Sequence, residues 1–233
     1  MTKDIWFAPS LMCMDIGDTR RQIEVFERYC HILHADIMDG HFAKNITLGP
    51  DLIHQIKAMT SLPIEAHLMV EHPEEFIDII ADAGADYISL HAETIRNNSF
   101  STIRRIQSIG CKVGVVVCPA TPLIDIDAYL DQIDLLTIMT VEVGYAGQRF
   151  IPQMLRKIEH ARDLREKNGY KYMIQVDGAV GPNTYKEMYE AGARAFVMGS
   201  SGLFKPDVEN IETACIQMRE EFLAEILKTK EVI

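Results

Sequence analysis

Short apolar strand patterns alternate with amphipathic helical patterns along the whole chain, and this alternation limits the fold more than any other feature. Residues 5–11 read as an apolar strand, and 18–29 as a helix with Ile23, Phe26 and Cys30 at helical spacing. A strand over 32–38 follows, then a helix over 52–59 stopped near Pro63, then a strand over 64–70. Pro73, at a first-turn position, opens a helix that runs to residue 83 and stops at Gly84. The same alternation continues through a strand over 87–91, a helix over 99–109 closed by Gly110, and a strand over 112–117. Next come a short helix over 124–129, a strand over 135–140 and a helix over 154–168 ended by Gly169. The chain finishes with strands over 172–176 and 195–198, a helix over 183–191 ended by Gly192, and a last helix over 209–227. Eight strand–helix units with short connections predict a closed parallel (β/α)8 TIM barrel. Ala83-Gly84-Ala85-Asp86 returns as Ala191-Gly192-Ala193-Arg194 four units later, as a half-barrel repeat would place it. No glycine-rich, proline-rich or low-complexity linker interrupts residues 1–233, so one domain is expected.

The net charge of -11, from 34 acidic against 23 basic residues, argues against a nucleic-acid partner or an anionic membrane surface. It does not exclude a phosphorylated substrate, because backbone N–H groups at helix N-termini hold phosphate without side-chain charge. No apolar run reaches the ~18 residues of a membrane span, and the first ten residues carry no secretory pattern. The five cysteines (Cys13, Cys30, Cys111, Cys118, Cys215) are odd in number and lack C-x-x-C spacing. They read as reduced, mostly buried thiols of a cytoplasmic protein.

Barrel enzymes carry their chemistry at the C-terminal ends of the strands. The polar residues expected there are Ser10, His34, Asp36, His67, His91, Thr140, Asp177 and Ser200. His34 and Asp36 stand two apart on one strand and share a face. With His67 on the next strand and Asp177 at the end of the seventh, they give two imidazoles and two carboxylates. Such a set suits zinc or another first-row divalent ion. His91 and Glu93 repeat the two-apart spacing, which fits strand-end hydrogen bonding better than a second metal site. Asp39 is expected to fix the following loop, whereas His41 fits solvation or substrate contact equally well. His31, His54, His72 and His160 are expected on the surface.

HADIMDGHF from His34, HLMV from His67, MTVEVGYAGQRF from Met139, VDGA around Asp177 and MGSS from Met198 occur in one order along nearly the whole chain. In these motifs the chain resembles the ribulose-phosphate 3-epimerase family. The resemblance implies a (β/α)8 barrel with one divalent metal per subunit (zinc, or cobalt, manganese, iron or magnesium) held by His34, Asp36, His67 and Asp177. It implies reversible inversion at C3 of a ketose phosphate, with Asp36 and Asp177 exchanging protons on opposite faces of a planar enediolate. It also implies a homo-oligomer, dimer or hexamer. Within the family, SLMCMD, DIMDGHF, NITLGP, LHAETI, GQRFIPQML and SGLF resemble the members that interconvert allulose 6-phosphate and fructose 6-phosphate. The alternative is ribulose 5-phosphate to xylulose 5-phosphate, the same chemistry on a sugar one carbon shorter.

Further substrate contacts follow from the resemblance. Met38, Met69 and Met139, which composition alone would assign to the core, become an apolar lining near the reacting carbons. Ser10 and His67 become sugar contacts, although Ser10 also reads as an ordinary loop serine. Gly144, Tyr145, Ala146 and Gly147 after the sixth strand, Gly178 and Ala179 after the seventh, and Gly199 and Ser200 after the eighth are expected to face the phosphate. The first of these loops is also a candidate lid. Val143 and Ala146 stand where the family commonly has proline and glycine, and Ala179 completes what is usually a glycine pair. A lyase or decarboxylase on a related barrel would need Asp-x-Lys-x-x-Asp in the second strand, where this chain has His34, Asp36 and Asp39. A non-catalytic phosphosugar-binding barrel leaves the two opposed carboxylates without a purpose.

Overall fold

A computed structural model describes residues 4–206 and 210–228. Eight parallel strands form one sheet in the order β1-β8-β7-β6-β5-β4-β3-β2, and a parallel bridge from Ser10 to His34 brings β2 round to β1. The strands are β1 Trp6–Pro9, β2 Leu33–Met38, β3 Ile64–Met69, β4 Tyr87–His91, β5 Lys112–Val117, β6 Leu135–Met139, β7 Met173–Asp177 and β8 Ala195–Met198. Helices α1 Thr19–Tyr29, α2 Pro50–Lys57, α3 Ile77–Asp82, α4 Ser99–Ser108, α5 Met154–Asn168, α6 Tyr185–Ala191 and α7 Ile211–Leu227 lie outside the barrel. The alternation read from the sequence is therefore a (β/α)8 barrel in a single domain.

The strands are buried on both faces, and their period of two sorts the residues. Leu33, Ala35 and Ile37 of β2 and Ile64, Ala66 and Leu68 of β3 join the core between sheet and helices. His34, Asp36, Glu65 and His67 occupy the alternate positions, which face the barrel interior and are buried. Packing inside is close at one point that demands glycine. A Cβ on Gly114 would lie 2.8 Å from the Ser89 Cβ and overlap its hydroxyl. Outside the ring, Phe222 of α7 meets Phe7, Tyr185 and Phe196 at ring-centroid distances of 5.1, 5.1 and 4.9 Å. These contacts bind the last helix across the β1–β8 strand pair.

Local differences from the sequence reading have physical causes. The helix expected over 73–83 is a 3-10 turn, Pro73–Glu75, followed by α3. Phe76 N–H closes back on the Pro73 carbonyl three residues away before α-type bonding resumes from Ile80 to Phe76. The short helix expected over 124–129 is two 3-10 segments, Leu123–Asp125 and Asp127–Gln132, each too short to set up an α-helical ladder. Helix α2 starts earlier than expected because Pro50 takes its first position after Gly49. The expected start of α7 at residue 209 lies outside the described residues. Just beyond it, the Asn210 side chain accepts from Thr213 N–H and caps the helix. Cys30 and Cys215 are buried, but Cys13, Cys111 and Cys118 are only half-buried, and all five are free thiols. Among the described residues, no helix is long and apolar enough to cross a membrane.

Candidate active site and metal centre

His34 and Asp36 project inward from β2, His67 from β3 and Asp177 from the end of β7, and their donor atoms converge at the C-terminal mouth. One ligand atom from each of the four lies within 4.8 Å of all the others. His34 Nε2 is 3.2 Å from Asp36 Oδ1 and 3.2 Å from His67 Nδ1. Asp177 Oδ2 is 3.8 Å from His34 Nε2 and 3.6 Å from His67 Nδ1. Both imidazoles are fully buried, and Asp36 is 3 % exposed.

The electrostatics of this set call for positive charge. Burial and the neighbouring Asp36 charge push the Asp177 carboxyl up to about 6. Burial disfavours charge on His34, yet Asp36 and Glu65 outweigh it and hold the ring well above its ordinary range. Against the same burial, His34 and His67 draw the Asp36 carboxyl far below the usual carboxylate range. Protons on His34 and Asp177 thus supply charge that a divalent cation would supply instead. Two imidazoles and two carboxylates from three strands, converging on one point, fit one divalent metal ion.

Behind the donors lies a polar layer that the sequence reading missed. His34 Nδ1 meets Glu65 Oε2 at 2.9 Å, the usual way a carboxylate aims a ligating imidazole. Buried Glu65 also accepts from Ser89 Oγ at 2.6 Å and Gln175 Nε2 at 2.8 Å, and Thr137 Oγ1 donates to Gln175 Oε1 at 2.7 Å. The available signal was Glu65 inside the apolar strand IEAHLM, two residues from His67 and on the same face. His67 Nε2 is 3.0 Å from His91 Nε2, and His91 Nδ1 is 3.2 Å from Glu93 Oε2. His91 and Glu93 thus hydrogen-bond at the strand end, as expected. Asp39 accepts from the N–H groups of His41, Phe42 and Glu71 and so fixes its loop. His41, His54, His72 and His160 are exposed, but His31 is half-buried and accepts from Phe7 N–H through Nδ1.

Above the carboxylates opens a cleft of about 540 Å³. Its floor includes Asp36 and Asp177, and Met38, Met69 and Met139 form part of its wall. Ser10 lines it too, and donates to Asp36 Oδ2 at 2.7 Å. Gly144, Tyr145, Ala146 and Gly147 form one side, and Gly178, Ala179, Gly199 and Ser200 another. His67, expected as a sugar contact, is fully buried and absent from this wall. Met12 and Cys13, from SLMCMD, line the cleft without having been singled out, as do Val141 and Glu142, while Gln148 continues the side formed by Gly144–Gly147. Met12 and Cys13 sit in a one-turn 3-10 segment, Leu11–Cys13, and the others in a loop, so neither stretch is long enough for hydrophobic period to give a side chain's direction.

The loop after β6 is tied across the mouth. Asn45 Nδ2 donates to the Gly144 carbonyl at 2.8 Å, and the Tyr145 hydroxyl donates to the Lys44 carbonyl. After β7, Gly178 has φ 109° and Ala179 has φ 50°, so an alanine occupies left-handed backbone that favours glycine.

Residues 6–204 match the model of the ribulose-phosphate 3 epimerase family. The ribulose-phosphate 3-epimerase of Bacillus subtilis is 39% identical over 196 residues, covering 83% of this chain and 90% of that protein. The Synechocystis enzyme of the same name is 38% identical over 209 residues, with 89% and 91% covered. Among solved structures, KGPDC of Streptococcus mutans superposes with a TM-score of 0.73 at 13% identity, covering 95% of this chain and 99% of that one. At that identity it shares the fold alone. Family match and relatives together decide the assignment: the chain belongs to the ribulose-phosphate 3-epimerase family.

Proposed function

We propose that this chain is a metal-dependent ketose-phosphate 3-epimerase, an isomerase, whose metal ligands are His34, Asp36, His67 and Asp177. The observation that carries the reading is the placement of Asp36 on β2 and Asp177 on β7, three strands apart round the ring, at the floor of one cleft. Inversion at C3 beside a C2 carbonyl needs a proton taken from one face and another returned to the opposite face. Two carboxylates flanking a sugar can do both, and their roles swap when the reaction reverses. In the metal-free site the two carboxylates differ, Asp36 drawn far below the usual carboxylate range and Asp177 raised to about 6. A divalent ion held at this site supplies Lewis-acid polarisation of the C2 carbonyl. Met38, Met69 and Met139 keep water from the carbanionic face. Gly178–Ala179, Gly199–Ser200 and the Gly144–Gly147 loop are proposed to receive the phosphate through backbone N–H groups.

For the substrate, the relatives favour the pentulose over the hexulose expected from the motifs. The Bacillus and Synechocystis proteins are both named ribulose-phosphate 3-epimerase. We therefore propose ribulose 5-phosphate and xylulose 5-phosphate as the pair. The hexulose reading, allulose 6-phosphate to fructose 6-phosphate, keeps one observation in its favour: SLMCMD brings Met12 and Cys13 into the cleft wall. Comparing kcat/KM for ribulose 5-phosphate and allulose 6-phosphate on the metal-loaded enzyme tests the choice. A higher ratio for ribulose 5-phosphate supports it, and a higher ratio for allulose 6-phosphate overturns it.

A further inference from the structure

We propose that Glu93 is a positioning residue for the metal centre: through His91 it selects the His67 tautomer whose Nδ1 carries a bare lone pair toward the metal. The inference rests on the reading of His67 as a ligand, and concerns a carboxylate two imidazole contacts away from the ion. Glu93 is on the loop after β4 and touches none of the four ligands.

The chain of contacts permits one assignment of protons. An ionised carboxylate only accepts. Glu93 Oε1 takes the Cys118 N–H at 2.9 Å and the Thr121 hydroxyl, and Oε2 faces His91 Nδ1 at 3.2 Å. His91 Nδ1 must therefore donate. A neutral imidazole has one N–H, so His91 Nε2 is left as an acceptor. Its partner at 3.0 Å is His67 Nε2, which must be the donor. The two rings are 26° from parallel, with centroids 5.1 Å apart, so their nitrogens meet head-on. His67 then has no proton on Nδ1, the atom that faces His34, Asp36 and Asp177. Cys118 Sγ also lies 3.4 Å from His91 Nδ1, but sulfur is a far weaker acceptor than a carboxylate.

Glu93 fits this task in its charge state. Burial works against ionisation, yet the His91 ring, the Thr121 hydroxyl and the Cys118 N–H bring its carboxyl down to about 2. His34 reaches the same end by a shorter route, with Glu65 directly on its Nδ1. The two ligating rings thus present opposite nitrogens, Nε2 from His34 and Nδ1 from His67, and each is aimed by its own carboxylate.

Glu93→Gln tests the relay while preserving shape. The Gln oxygen must stay on the Cys118 N–H and Thr121 hydroxyl, so its NH2 turns to His91 Nδ1. That reverses each N–H in the chain and puts a proton on His67 Nδ1. The measurement is Zn²⁺ affinity by competition with a chromophoric chelator, together with 15N NMR of the histidine rings in the metal-free proteins. We expect Zn²⁺ affinity to fall about 10–100-fold in Glu93→Gln. Wild type should show a protonated His67 Nε2, and the variant a protonated His67 Nδ1. Thr121→Val removes another Glu93 contact but leaves His91 Nδ1 alone, and should stay within about threefold of wild type. Equal losses in both variants would show that Glu93 merely braces its loop, and overturn the proposal. So would wild-type affinity in Glu93→Gln, or a protonated His67 Nδ1 in the metal-free wild type. The wild-type tautomer decides the matter even where a variant fails to fold, and neither readout requires epimerase activity.

Discussion

Replacing Asp177 by asparagine should make the metal-free protein more stable while it destroys the epimerase. Asp177 shares its buried site with Asp36, and its carboxyl is raised from 3.8 to about 6. A native carboxylate with a raised pKa weakens the fold as it ionises, by ~1.4 kcal/mol for each pH unit of the rise. A rise of roughly two pH units gives a penalty of about 3 kcal/mol, absent below the unfolded value of 3.8 and fully present above the native value of about 6. Asparagine keeps the size of the side chain and removes the charge. Its own amide must still find partners in a buried site, so the net gain at neutral pH should be about 1–3 kcal/mol. For a barrel of this size that is a rise in Tm of about 3–10 °C. Urea unfolding of chelator-treated wild type and Asp177→Asn, near pH 7.5 and near pH 4, measures it. The gain should appear at the higher pH and vanish at the lower. No gain near neutrality, or an equal gain at both pH values, would refute the like-charge account.

Other perturbations probe the surroundings. Gly114→Ala should cost about 2–5 kcal/mol in urea unfolding, because the new methyl displaces Ser89 and strips Glu65 Oε1 of its donor; a cost under ~1 kcal/mol would contradict the packing described. Lys157 Nζ donates to the carbonyls of Cys118, Pro119 and Thr121 at 2.9, 2.7 and 2.8 Å. Lys157→Met should therefore lose about 1–3 kcal/mol of stability, seen as a lower urea midpoint. Stripping the bound metal with chelator should lower stability by about 3 kcal/mol relative to protein held at a hundredfold excess over Kd, and an unchanged Tm would argue against a metal bound only by the native state.

How far the sequence can be read follows from the kind of signal each part carries. Strand and helix order is legible because a barrel strand buried on both faces writes a continuous apolar run, and helices stop at glycines such as Gly84 and Gly169. Convergence of His34, Asp36, His67 and Asp177 is legible because strand ends of a parallel barrel all point to one mouth. Glu65, Ser89, Thr137 and Gln175 are not, since each looks like an isolated polar residue until the strand register places it inside. The 3-10 segments near residues 73–75 and 123–132 read as α-helix because periodicity over one or two turns does not separate the two. Met12 and Cys13 belong to a 3-10 segment of three residues, Leu11–Cys13, too short for a period to show which way its side chains point.

Exchange of the C3 proton of a ketose phosphate by Asp36 and Asp177 from opposite faces, as proposed, can be followed with an isotope. Its most direct test is conversion of ribulose 5-phosphate in D₂O, followed by NMR, for metal-loaded wild type, Asp36→Asn and Asp177→Asn. Wild type should place deuterium at C3 of the xylulose 5-phosphate it forms, and epimer formation should be slower by about 10²–10⁴-fold in each variant. Epimer formed without C3 label, or either variant turning over within about tenfold of wild type, would contradict it.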